Sequence, residues 1–102
     1  MRRLPVAVTE KQIAEFCRKY GVQEFALFGS VLREDFNDQS DVDVLVTMAG
    51  ESIGSIEKYM DMQDELSALF GGRKIDLVQK ALLTNPYRRH EILRTQEVLY
   101  AA

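Results

Sequence analysis

A chain of 102 residues with 46% hydrophobic and 28% charged residues has room for one core and not two. Its formal net charge is -3, and the basic residues are scattered apart from Arg2-Arg3, Arg73-Lys74 and Arg88-Arg89, so no basic face for direct nucleic-acid binding is expected. A lone cysteine, Cys17, excludes an internal disulfide, and its apolar neighbours place it in the core. The opening Met1 to Val8 carries two arginines and is broken by Pro5. It fits neither a signal peptide nor a membrane span, and a cytoplasmic location is expected.

In chain order, Thr9 and Gln12 form a T-x-x-Q capping box, and Ile13, Phe16, Cys17 and Tyr20 recur at helical spacing before Gly21 ends the run. Phe25 to Phe28 is a short apolar strand that stops at Gly29-Ser30, and Val31 to Glu34 is long enough for one helical turn. Asp35 to Ser40 is rich in turn formers and leads into a β-branched strand, Val42 to Val46. Ser52 or Ser55 caps a longer helix that reaches Phe70, with Tyr59, Met62, Leu66, Leu69 and Phe70 on one stripe and Gly71-Gly72 as its stop. Lys74 to Val78 is a third strand, Asn85-Pro86 opens a helix to about Thr95, and Glu97 to Tyr100 is a short final strand.

The chemistry lies between the first two strands. Side chains alternate along a strand, so Asp41 and Asp43 share one side while Val42, Val44 and Val46 face the core on the other. Two carboxylates about 5 Å apart repel by roughly 3 kcal/mol at an effective dielectric near 20, a penalty that a divalent cation removes. An oxygen-only donor set suits Mg²⁺ or Mn²⁺ bridging carboxylates and the phosphates of a substrate. Gly29 permits a tight turn and close approach to a ligand, and Ser30 offers a hydroxyl and an amide to phosphate. Arg33, three residues on, either joins that anion site or pairs in solvent with Glu34 or Asp35. Asp76 sits alone among aliphatic neighbours in the third strand; it is either an ion-pair partner of Arg73 or Lys74 or a third carboxylate of the same site, and the pair already present favours the second.

Other polar candidates read as ordinary structure. Asp35 and Asp38 are solvated turn residues, Arg88-Arg89 a solvated pair, and His90, with no second histidine or cysteine near it, a surface residue. Met48, Met60 and Met62 are core filler before they are a purine pocket.

A Gly-Ser pair followed after ten residues by Asp-x-Asp arises by accident in about one chain of this length per thousand, taking each residue type at roughly 6%. With Ser40 just ahead of Asp41, the pattern resembles the signature of the polymerase-beta-like nucleotidyltransferases. The short chain and the later Lys74-Ile75-Asp76-Leu77-Val78 strand resemble the minimal nucleotidyltransferase (MNT) family, the antitoxin partners of HEPN toxins. The resemblance implies a single domain over residues 1–102 with an α/β fold, a small mixed β-sheet carrying its carboxylates on one face and helices packed on the other. It implies Asp41, Asp43 and Asp76 as catalytic metal ligands and Gly29, Ser30, Arg33 and Ser40 as the nucleotide-binding set. The implied reaction is Mg²⁺-dependent transfer of AMP from ATP to a tyrosine hydroxyl of a cognate HEPN toxin, which silences it. Two other outcomes stay open: an antitoxin that neutralises its toxin by binding alone, and a nucleotidyltransferase acting on a small molecule of aminoglycoside type.

Overall fold

The computed structural model describes residues 8–32, 40–50 and 52–102, with Ser30 and Val31 described through their backbone alone. Of the expected turn segment Asp35 to Ser40, all but Ser40 lies outside the described residues, Asp35 and Asp38 included, as does most of the opening Met1 to Val8 segment.

Helix α1, Glu10–Tyr20, starts on the anticipated capping box: Thr9 Oγ1 accepts from the Gln12 amide at 3.1 Å, and the Thr9 amide donates to Gln12 Oε1 at 2.9 Å. Gly21, at φ 74°, ends it in the left-handed region. Strand β1, Val22–Phe28, follows at once and begins three residues before its apolar run, because Gln23 and Glu24 belong to an irregular stretch of pairing rather than to the core. A 3₁₀ turn, Gly29–Leu32, comes next, then strand β2, Val42–Met48. Helix α2, Ile56–Leu69, is capped by Ser55, whose side chain accepts from the Lys58 amide at 3.1 Å. Strand β3, Ile75–Gln79, a second 3₁₀ turn, Lys80–Leu82, helix α3, Pro86–Thr95, and strand β4, Glu97–Ala101, complete the chain.

Among the described residues four strands form one mixed sheet in the order β3-β2-β1-β4. The β2–β1 and β1–β4 pairs are antiparallel and β2–β3 is parallel, with α2 as the crossover that a parallel pair requires. Central β1 is buried on both faces, which explains its unbroken apolar run. On one face Phe25, Leu27, Val42, Val44, Val46, Ile75 and Leu77 pack against Ile13, Phe16 and Cys17 of α1 and Met62 and Leu66 of α2, forming the main core. The valines therefore face as their alternation predicts. Burial pushes the Cys17 thiol up to about 12, so it is an inert core group. Met48 and Met62 are core residues and Met60 is exposed, so the three do not line one pocket.

Helices α1 and α2 share the face opposite the carboxylates, as expected. Helix α3 lies on the carboxylate face, where Ile92 and Leu83 cover the apolar Ala26, Phe28 and Leu45. It gives Asp43 a wall.

Helix α2 also closes one edge of the sheet. Tyr59, Gln63 and Ser67, four residues apart, donate from their side chains to the carbonyls of Leu77, Ile75 and Arg73 at 2.8, 2.8 and 2.7 Å. Four helical residues advance about 6.0 Å and two strand residues about 6.6 Å, so the two periods match over the length of β3. The carbonyls that would otherwise invite a foreign strand are already occupied. Among the described residues, no helix is long and apolar enough to cross a membrane.

Candidate active site

Gly29 is the hinge of the site. Its φ of +71° is unfavourable for any side chain, and a Cβ there would run into Asp43 Oδ2 and lie 3.2 Å from Asp43 Cγ. The bare backbone at the end of β1 thus lets the Asp43 carboxylate settle against the start of the 3₁₀ turn. Register explains why: Phe28 pairs with Asp43 across β1 and β2, and Gly29 is the next residue.

Asp43 also pairs with Asp76 across the parallel β2–β3 ladder. Partners in neighbouring strands stand about 4.8 Å apart and project to the same face, so the two carboxylates are side by side. Asp43 is half-buried and Asp76 exposed, while Asp41 sits exposed just ahead of β2. Among the described residues no ion pair joins Asp76 to Arg73 or Lys74; the charge it presents is felt by the Tyr59 phenol. Arg73 reaches the other way, Nη1 donating to the Ser40 carbonyl at 3.4 Å, while the Val42 amide donates to the Lys74 carbonyl at 2.9 Å. These two bonds fix the chain on either side of Asp41.

Of the remaining sequence candidates, Ser30 lies within the 3₁₀ turn, its amide placed at the turn's start, and Ser40 is half-buried beside Asp41. Arg33 lies outside the described residues. Among the described residues no three ligating side chains close around a common point. Asp43 and Asp76, with Asp41 at the strand's start, are an open oxygen donor set. That fits an ion such as Mg²⁺, which takes one or two carboxylates and completes its shell with water and substrate phosphates.

Of the three aspartates, Asp43 opens onto a pocket of about 540 Å³, a size suited to a small-molecule substrate. Phe28, Gly29, Leu32 and Asp43 form one side, and Arg88, Glu91, Ile92 and Thr95 of α3 the other. Sequence reasoning missed the α3 residues. Their spacing at i, i+3, i+4 and i+7 marks one helical face, but only the burial of Ile92 against Phe28 and Leu45 shows that this face meets the site. The Arg88-Arg89 pair accordingly divides: Arg89 Nη1 donates to the Lys80 carbonyl at 3.2 Å, whereas Arg88 lines the pocket. His90 is exposed, as expected.

Burial first, and the nearby Asp76 charge second, hold the Tyr59 phenol above its ordinary 10.0. A group whose pKa is raised in the fold withdraws stability as pH climbs past its unfolded value, so the protein should weaken above pH 10.0 and not below it. Tyr59→Phe should flatten that alkaline loss while costing about 1 kcal/mol at neutral pH for the bond to Leu77. Denaturant titrations from about pH 8 to about pH 11 measure both effects.

With this geometry in view, comparison with known proteins is decisive on class. The model of the polymerase beta nucleotidyltransferase family matches residues 11–102, and the chain belongs to that family. It is 38% identical over 86 residues to the protein adenylyltransferase MntA of Thermococcus cleftensis, covering 84% of this chain and 81% of that one. A solved chain named as a minimal nucleotidyltransferase superposes with a TM-score of 0.68 at 26% identity, covering 86% of each chain. A toxin–antitoxin crystal structure with AMP-PNP gives a TM-score of 0.73 at 18% identity, over 93% of this chain and 75% of that one, and shows the common fold.

Proposed function

We propose that this chain transfers AMP from ATP to a tyrosine hydroxyl of a HEPN-family toxin and so serves as its antitoxin in the cytoplasm. The observation that carries the chemistry is the in-register placement of Asp43 beside Asp76, with Gly29 against Asp43 at the mouth of a nucleotide-sized pocket. The name of the Thermococcus cleftensis relative and the toxin–antitoxin fold neighbour with AMP-PNP support the donor and the partner.

In this reading Asp41 and Asp43, with Asp76 beside them, hold Mg²⁺ or Mn²⁺, which when bound neutralises charge on the phosphates. The turn at Gly29-Ser30 receives the β and γ phosphates, with Ser40 and Arg33 completing the nucleotide-binding set. The acceptor oxygen bonds to the α-phosphorus, its proton passes to Asp76, and the bond from that phosphorus to the bridging oxygen breaks as pyrophosphate leaves. Little covalent chemistry falls to the protein, so positioning and charge account for the catalysis.

Co-expression with the partner that co-purifies tests the proposal. The expected result is a partner whose intact mass has gained one or more AMP groups on tyrosine, lost when Asp43 is replaced by Asn. A partner that is bound and silenced yet unmodified would replace transfer by occlusion.

A further inference from the structure

We propose that Arg88 is the cationic contact for the β,γ-phosphate end of the nucleotide, the part that departs as pyrophosphate. The inference rests on the nucleotidyltransfer reading above and assigns a binding residue from a helix that carries no part of the sequence signature.

Three arginines of α3 differ in what they touch. Arg89 is tied to the Lys80 carbonyl, and Arg94 Nη2 clamps both oxygens of Glu91 at 2.7 and 2.9 Å. Among the described residues the Arg88 side chain has no hydrogen-bond or ion-pair partner, is exposed, and lines the pocket opposite Asp43 and Gly29. Glu91 lines the same wall, but its charge is already matched by Arg94. Arg88 is therefore the uncommitted charge on the α3 side of the pocket.

Its place in the helix points the same way. The first turn of α3 holds no acidic residue, and the Asn85 side chain accepts from the Tyr87 and Arg88 amides at 3.0 and 3.1 Å. A cation at the positive end of a helix is unfavourable by itself, and an anion beside it removes the conflict. Gly29, on the facing wall, opens the turn that suits phosphate. A guanidinium reaching toward that turn across the pocket meets the same phosphates from the other side, as a planar donor able to grip two oxygens. When the α-phosphorus–oxygen bond breaks, its electron pair goes to the pyrophosphate. The contact strengthens as that charge develops, so Arg88 should act on turnover as well as on binding.

Parental chain, Arg88→Ala, Arg88→Lys and Lys11→Ala, a charge removed from exposed α1, are titrated with Mg²⁺-ATP, Mg²⁺-pyrophosphate and AMP. Arg88→Ala should weaken ATP and pyrophosphate about tenfold or more, the loss expected of a charge-assisted hydrogen bond, and leave AMP within about twofold. Arg88→Lys should recover part of the affinity, and Lys11→Ala should match the parent. Thermal unfolding checks that Arg88→Ala is folded; Arg88→Lys carries the test if it is not. Unchanged ATP and pyrophosphate affinity, or an equal loss for AMP, overturns the assignment while leaving nucleotidyltransfer standing. A parental chain that binds neither ATP nor pyrophosphate removes both readings together.

Discussion

Gly29→Ala is expected to lower adenylyl transfer by at least about 100-fold, the scale at which displacement of catalytic groups by an ångström acts. Two effects combine at this position. The left-handed φ of +71° costs a non-glycine residue about 1–2 kcal/mol. The added Cβ also occupies the space of Asp43 Oδ2, so the carboxylate must swing away from the turn or the turn must lift off β2. Gly21 separates the two effects, because its φ of +74° carries the same strain while a Cβ there meets nothing within 4 Å. Gly21→Ala should lose comparable stability and keep its transfer activity. Thermal unfolding and AMP incorporation on both variants give the comparison. Equal activity in the two would mean that the contact between Asp43 and the turn contributes nothing to the reaction.

Much of this arrangement was legible in the sequence where one local rule decided the outcome. The Thr9–Gln12 capping box, the alternation of Asp41 to Val46 and the Asn85-Pro86 helix start each depend on a few neighbouring residues, and each stands where it was expected. The polar start of β1 was not legible, since its pairing depends on β2 and β4 rather than on its own apolar content. Strand order was equally hidden. Without it the sequence could put Asp76 on a neighbouring strand but not opposite Asp43 in register. The α3 wall was lost for a related reason. Ile92 is the one buried residue of a helix otherwise rich in charge, so nothing local shows which face turns inward, and Arg88 reads as an ordinary surface residue. The choice between Ser52 and Ser55 as the cap of α2 fell to Ser55, because Gly54 at φ +93° breaks any helix running from Ser52.

Asp76→Asn is expected to separate nucleotide binding from transfer. Asp41 and Asp43 belong to one stretch of chain beside the Gly29 turn, while Asp76 reaches the site from edge strand β3 and is exposed. Asparagine nearly preserves its size and removes one of two adjacent like charges, so the fold should be unharmed or slightly more stable. Donor affinity should stay within a few-fold of the parent, because Asp41, Asp43 and the turn remain. Transfer should fall by about 100-fold or more, since an amide neither takes the acceptor's proton nor supplies full negative charge. Asp41→Asn should instead weaken both binding and transfer.

The joint action of carboxylates from two neighbouring strands as one catalytic group is read out by labelled AMP incorporation onto the co-purified partner, with calorimetric titration of Mg²⁺-ATP on the same preparations. It predicts that Asp76→Asn binds nucleotide nearly as the parent does and transfers almost none of it. Transfer by Asp76→Asn at near the parental rate would contradict it and return Asp76 to an ordinary strand residue.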